Sequence, residues 1–322
     1  MRAVVTPPDS SLAQVYGWLR YHLGWAERDG SPAEARRAKG IRPLVCLTAC
    51  TAVGGRIERA QCAAAAIELT HEFSLIHDDL QDGDRLRRGR PALWTWIGVP
   101  QAINAGDLLF GLARRQLSAA ELPAELKADL EARYDAACIL LAEGQYLDIS
   151  FELADSISIE DYIGMVERKT AALLAAAASM GAACGGGTQG ACDALDHYGR
   201  ALGVAFQIQD DILGVWGRSD RTGKPAGRDL IRKKRSLPIV TALADPTLGK
   251  VLADLWSPPE PDPAVAAAAA QAMFEAGIPA QSTAVAHLYA AQAEAALSGL
   301  DLEPTAKTAL LALVRRAVER DR

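Results

Sequence analysis

Aromatic residues make up only 6% of this 322-residue chain, and alternating β-branched stretches are scarce. Both shortages count against a sheet protein, whose strands are enriched in such residues. No Cys-x-x-Cys pair occurs among the six cysteines, and no histidine is spaced to complete a zinc site with Cys46 and Cys50. Cys46, Cys50, Cys62, Cys138, Cys184 and Cys192 are therefore read as small buried residues or spare thiols. The chain lacks an extended basic stripe and carries a net charge of −6, which argues against a nucleic-acid surface. Met1 to Asp9 has no apolar core of the signal-peptide kind. The longest small-apolar run, Ala171 to Gly187, is too short for a stable membrane span. A cytoplasmic protein is expected.

What is present is helical. Hydrophobic residues amount to 50% and charged residues to 23%, enough for a large core. Ala, Leu, Glu and Arg recur with helical periodicity from start to finish. The pattern predicts helices near 9–26, 42–53, 58–82, 99–118, 122–151, 158–182, 190–217, 229–255, 263–276, 279–298 and 302–320. The Pro-rich Ser257 to Pro263 is the clearest break. It is read as joining helices of about 9–256 to packing helices of about 263–322 within one domain, 1–322.

Chemistry concentrates in Asp78-Asp79-Leu80-Gln81-Asp82, at the end of an apolar helical segment and followed by Arg87-Arg88-Gly89. Asp78 and Asp82 lie one helical turn apart, so both carboxylates point into the same space, as a clamp for a hard cation would. Carboxylates alone repel phosphate, whereas Mg²⁺ binds one or two carboxylates together with substrate phosphates. The same residues, taken alone, also fit an acidic helix end with a solvated charge run. A second copy weighs against that reading. Ile208-Gln209-Asp210-Asp211-Ile212 lines up with Ile76-His77-Asp78-Asp79-Leu80, and Thr222-Gly223-Lys224 and Arg232-Lys233-Lys234-Arg235 follow it. Two buried acid pairs are costly unless they share ions, so both should line one cavity.

With these residues in view, the chain resembles the trans-type polyprenyl diphosphate synthases over roughly Lys39 to Pro238. The resemblance rests on Lys39, Arg42-Pro43, His71, the two acid pairs with Asp82, Arg87-Arg88-Gly89, Gly106-Asp107, Gly144-Gln145 with Asp148, Lys169-Thr170, Gln207, Gly223-Lys224 and Lys234. It implies an all-α, single-domain bundle of about ten or more mostly antiparallel helices around a central cavity, of the class I isoprenoid synthase type. The implied reaction is Mg-dependent head-to-tail condensation of isopentenyl diphosphate with an allylic diphosphate. Three Mg²⁺ ions are implied, with Mn²⁺ as an alternative: two on Asp78 and Asp82 and one on Asp210, with Asp79 and Asp211 completing the motifs. Gln145 and Asp148 would support metal-bound waters. Lys39, Arg42, His71 and Arg88 would hold isopentenyl diphosphate, while Arg87, Lys169, Lys224 and Lys234 cradle the allylic diphosphate. Thr170 and Gln207 would present oxygens to the developing cation. Phe73, beside the small Ser74, would floor the tail pocket and limit the product to C15–C20. A homodimer is implied as well.

Some positions depart from the family pattern. Gly214 stands where a third aspartate is common, which predicts a raised Mg²⁺ requirement. Trp94 replaces a frequent His, Gly40 a frequent basic residue, and Lys233 a usual Gly that would leave the lysine loop more room. Two other readings remain. A terpene cyclase would use the metal cluster but not the isopentenyl diphosphate cations, and usually carries an Asn-based second motif; the only asparagine here is Asn104. A catalytically impaired partner subunit would usually lose the first acid motif, which is intact.

Overall fold

From Ala63 to Thr70 every residue is buried, as is every residue from Ala172 to Ala182. A helix apolar on all sides has no face for solvent and has to run through the interior. These two stretches form the centre of the molecule, and the remaining helices pack around them. The computed structural model describes residues 1–33, 40–154, 156–217, 227–258 and 261–319, with the backbone alone at 228.

A 3₁₀ turn (Ser10–Leu12) leads into α1 (Ala13–His22), followed by α2 (Ile41–Ala52) and the central α3 (Ile57–Gln81). A short antiparallel ribbon, β1 (Leu86–Arg87) with β2 (Arg90–Pro91), precedes α4 (Leu93–Ile97), α5 (Val99–Ser118) and α6 (Ala124–Leu153). Next, α7 (Ile159–Val166) runs through a π turn (Glu167–Ala171) into the second central helix, α8 (Ala172–Gly185), and then α9 (Gln189–Trp216). The chain ends with α10 (Arg228–Ile231), α11 (Leu237–Leu243), α12 (Pro246–Trp256), α13 (Pro263–Glu275), α14 (Ile278–Ala296) and α15 (Pro304–Val318). The architecture is all-α. Among the described residues no helix is long and apolar enough to cross a membrane.

Small residues let the central helices touch backbone to backbone. A Cβ added at Gly199 of α9 would come within 2.7 Å of Ala175 Cα, and one at Gly181 of α8 within 3.0 Å of Cys46 Cα. The Ala- and Gly-rich run is thus a close-packing surface. The C-terminal helices share the main core, since Ala290, Ala293, Leu297, Leu310 and Val314 join the cluster that contains Leu69 and Leu174. Tyr198 Oη donates to Leu310 O at 2.9 Å across the same boundary.

The stretch predicted as one helix over 229–255 is three helices. Pro238 and Pro246 each sit in the first turn of a new one, where a missing N–H costs nothing. Asp245 caps α12 through the N–H groups of Thr247 and Leu248, so the break is specified locally. The span predicted at 158–182 begins with a capping box between Ser158 and Asp161 and is interrupted by the π turn, which carries Lys169 and Thr170.

Candidate active site

The last turn of α3 carries Asp78, and the π turn brings Lys169 to it. Burial pushes the Asp78 carboxyl up to about 6, with Asp82 and Asp148 adding to the rise and Lys169 and Arg87 opposing it. The Lys169 ammonium donates to Asp148 on α6. Burial would raise Asp148, yet Lys169 and Lys234 outweigh it and hold the carboxyl below its ordinary value. A Cβ at Gly144 would meet Lys169 Cα at 2.6 Å, so only glycine lets α6 come this close to the π turn.

Lys234 connects the two acidic segments. Burial disfavours its charge, but Asp229, Asp148, Asp211 and Asp82 together raise its pKa above the ordinary lysine value. Asp82 belongs to the first segment and Asp211 to the second, so acids from both lie around one ammonium. Gln145 donates to Gln81 Oε1 at 2.9 Å, while its own buried oxygen has no hydrogen-bond partner among the described residues.

Within each pair the second acid is held by the protein. Asp79 is almost fully buried and accepts from Arg87 Nε at 2.8 Å and from a second Arg87 nitrogen. Asp211, also buried, accepts from Tyr162 Oη at 2.6 Å, Gln207 Nε2 at 2.8 Å and the Leu237 N–H at 3.2 Å. Burial lifts the Asp211 carboxyl to about 6. Thr170 Oγ1 donates to Gln207 Oε1 at 2.8 Å, so Thr170, Gln207 and Asp211 form one hydrogen-bonded chain. Asp210 and Asp82 are exposed, and Asp78 is half-buried.

A cationic corner adjoins the acids. Arg42 on α2 is desolvated, which lowers its pKa, and its charge is felt by Glu68, Glu72 and Asp210. Its buried Nε has no partner among the described residues. His71 is driven well below its usual pKa, first by burial and then by Arg42, Arg88 and Arg87, so the imidazole is neutral. Arg88 makes a two-pronged contact with the buried Glu72, at 2.7 and 3.1 Å, and His22 lies 3.2 Å from the same carboxylate. Arg42, His71, Arg87 and Arg88 are thus brought together. Lys39 and Lys224 lie outside the described residues.

The basic run after the second segment divides its tasks. Arg232 pairs with Asp84, tying α10 to the loop that follows α3. Lys233 donates to Trp256 O at 2.9 Å, and Arg235 caps the end of α6 through the carbonyls of Phe151 and Ala154. Lys234 faces acids of both segments. Lys233 has φ 58°, which accounts for the usual glycine, and the Lys224 loop that it was expected to crowd lies outside the described residues. Trp94 Nε1 donates to Asp84 O at 2.7 Å. The place beside Gly214 is filled: a Cβ there would overlap Asp229 Oδ2 and lie 2.7 Å from its Cγ.

Phe73 packs on Phe110 of α5 with ring centroids 4.9 Å apart and the planes tilted by 38°, and it meets His77 edge-on at 5.1 Å. Ser74 hydrogen-bonds back to His71 O within α3. A groove of about 680 Å³ beside α6, lined by Tyr146, Leu147, Phe151, Gly164 and Arg168, contains none of the paired acids. Sequence reasoning missed Glu68, Glu72, Phe110, Tyr162 and Asp229. Glu72 and Phe110 had a signal, a charge inside an apolar helix and an aromatic four residues after Gly106, whereas Tyr162 and Asp229 had none.

The class is therefore an all-helical bundle in which two acid pairs and a group of cations share one interior site. The sequence pattern of the polyprenyl synthetase family matches residues 33–273, and the chain belongs to that family. It is similar to the (2E,6E)-farnesyl diphosphate synthase of Mycobacterium tuberculosis, with 40% identity over 229 residues. That match covers 70% of this chain and 62% of the mycobacterial protein, less than two thirds of its length. The crystal structure of a polyprenyl synthetase from Streptomyces coelicolor A3(2) superposes with a TM-score of 0.88 at 36% identity, covering 98% of this chain and 94% of that one. A polyprenyl synthase from Caulobacter crescentus, complexed with calcium and isoprenyl diphosphate, superposes at 0.86 with 30% identity, covering 100% and 93%.

Proposed function

We propose that this chain condenses isopentenyl diphosphate with an allylic diphosphate to give a C15–C20 trans-prenyl diphosphate. The observation that carries the reading is Lys234, ringed by acids of both segments, with the Arg42, His71 and Arg88 corner adjoining. One site can then hold two diphosphates.

The donor set suits a hard cation. Carboxylates outnumber Lys169 and Lys234, and the orphaned Gln145 oxygen is a further hard acceptor. Among the described residues no three His, Cys, Asp or Glu side chains group closely enough to hold an ion by themselves. Asp78, Asp82 and Asp210 would hold magnesium, three ions by family resemblance. Bound magnesium supplies the charge that stabilises a departing diphosphate. The Caulobacter protein, complexed with calcium and isoprenyl diphosphate, supports a divalent cation and a prenyl diphosphate as ligands of this fold.

Lys169 and Lys234 add fixed positive charge at the allylic diphosphate, aided by Arg87 and by Lys224. Asp148 orients Lys169, and Gly144 sets its height. Thr170 and Gln207, hydrogen-bonded to one another, offer oxygen lone pairs to the allylic cation. Arg42, His71, Arg88 and Lys39 hold isopentenyl diphosphate, whose double bond captures that cation. The neutral His71 acts as a hydrogen-bonding group. Because Arg87 and Arg88 each spend two donors on buried carboxylates, the remaining donors are fixed in direction. The final proton goes to the leaving diphosphate. Phe73, backed by Phe110, floors the tail pocket.

We further propose that 1–322 acts as one unit and pairs with a second copy. Ile139, Tyr146 and Leu153 repeat every seven residues along α6 and are 60%, 70% and 88% exposed, an apolar stripe suited to a second copy. Sedimentation checks this. Incubation with dimethylallyl or geranyl diphosphate, with and without isopentenyl diphosphate, tests the reaction. Elongation that needs both substrates supports it; a hydrocarbon from the allylic substrate alone indicates a cyclase, and silence an impaired partner subunit.

A further inference from the structure

The loop that leaves the first acidic segment and the turn that leads into Lys234 are joined by an ion pair. Arg232, immediately after α10, donates a guanidinium nitrogen to the Asp84 carboxylate, 148 residues away in sequence. The Arg232 and Asp84 side chains are 30% and 10% exposed, so salt and solvent screen the contact less than they would a surface pair. Arg87 also lies near Asp84, but two of its nitrogens are bonded to Asp79.

Both ends of the pair are anchored. The Asp84 N–H donates to Asp79 O at 2.7 Å, and Asp84 O accepts the Trp94 indole N–H at 2.7 Å. On the other side the Lys234 N–H donates to Asp229 O at 3.0 Å, while the Lys233 ammonium donates to Trp256 O at 2.9 Å. Lys233, between Arg232 and Lys234, has φ 58°, a left-handed turn that separates two neighbouring cations: one meets Asp84 and the other the acids. Lys234 in turn feels Asp82 of the first segment and Asp211 of the second. The ion pair therefore joins the two walls between which the proposed reading puts a diphosphate. Widening that space draws the turn after α10 away from the loop after α3 and breaks the contact.

We propose that the Asp84–Arg232 ion pair is a strap that holds the two walls together around a bound prenyl diphosphate and so helps to set product length. Release of the chain competes with its next condensation, so a product that leaves more slowly receives more isopentenyl units. Asp84 and Arg232 are positioning residues, acting through the walls they join. The inference rests on the prenyl-transfer reading and deepens it.

The test uses the full chain with Mg²⁺ and radiolabelled farnesyl diphosphate, chased with unlabelled ligand. Products made from geranyl and isopentenyl diphosphates are analysed alongside, with thermal melting as the folding control. Asp84→Asn and Arg232→Gln are each expected to speed dissociation of the labelled ligand about 3- to 10-fold, the scale of one partly screened ion pair whose loss falls on the off-rate. Their products should shift towards shorter chains. Asp84→Arg combined with Arg232→Asp should bring both readouts back close to wild type, and Arg232→Lys should fall between. Single variants that melt lower but release and elongate as wild type does would reduce the pair to a structural staple and overturn the proposal. So would a charge swap that melts like wild type yet releases as fast as the single variants. Wild-type chain that binds farnesyl diphosphate but elongates nothing overturns the prenyl-transfer reading alone; faster release by the single variants then still supports the strap, and equal release overturns it. Wild-type chain that binds no farnesyl diphosphate sinks both.

Discussion

The acid corner and the cationic corner balance their charge in opposite ways. Around Asp78, Asp82, Asp148, Asp211 and Asp229 the described cations are Lys169, Lys234 and Arg87, the last already bonded to Asp79, so carboxylates are in surplus. Around Arg42, His71 and Arg88 the protein supplies its own counter-ions, Glu68 and Glu72, one helical turn apart on α3. On the proposed reading the first corner takes up a cation. The second holds Arg88 in position against Glu72, and on the proposed reading a diphosphate there shares its guanidinium with that carboxylate.

The strongest way to break the contrast is to remove an acid from the first corner. Asp78→Ala is expected to lower kcat by about 10²–10³-fold, the scale of losing one strong electrostatic contact to developing charge. Its melting temperature should hold or rise, since a buried acid with a raised pKa is removed. Steady-state kinetics and melting measure both.

Removing a counter-ion from the second corner should act on stability instead. Glu72 is buried with Arg88 and His22, and Glu72→Gln leaves Arg88 unpaired at a cost of about 3 kcal/mol in urea unfolding near neutral pH. Burial works against the Glu72 carboxylate, but His22 and Arg88 outweigh it, so its folded pKa lies below the usual range. That contribution is fully present above about pH 4.5 and fades as pH falls towards the folded pKa. The gap between Glu72→Gln and wild type should therefore shrink in acid.

Glu68 should show the opposite sign. Burial, with Glu72 adding, raises its carboxyl from 4.5 to about 7. A raised acid favours folding while it is protonated, so its contribution is full below pH 4.5 and is lost as pH rises through about 7. Glu68→Gln should gain on wild type between about pH 5 and pH 8, by no more than about 3 kcal/mol. Unfolding curves at the two pH values decide it. The smallest effect on rate is expected from Phe73→Ala, which opens the space against Phe110 and shifts the product mixture to longer chains, read by chromatography.

Residues whose role follows from local spacing were legible in the chain itself. The acid pairs announce themselves by i, i+4 geometry, and the long apolar helices by their periodicity. The three-helix division of 229–255 was also written locally, in Pro238, Asp245 and Pro246, but periodicity runs on across a proline that sits in a first turn. Partners across the fold were not legible. Nothing near Asp211 in sequence points to Tyr162, and nothing near Gly214 points to Asp229, because these contacts exist only once α7 and α10 have docked. Arg232, Lys233, Lys234 and Arg235 look alike as a basic run, yet the bundle sends them to four different places.

The π turn at Glu167–Ala171 makes the chain length between α7 and α8 a fixed dimension. Deleting one residue there would turn every side chain of α8 by about 100° relative to α7. Gly181 would then swing away from Cys46 and an alanine would meet the α2 backbone in its place. The extra residue is thus a register stop: it keeps the lysine–threonine shelf and the glycine contacts in phase, so insertions and deletions in this stretch should be selected against more strongly than substitutions.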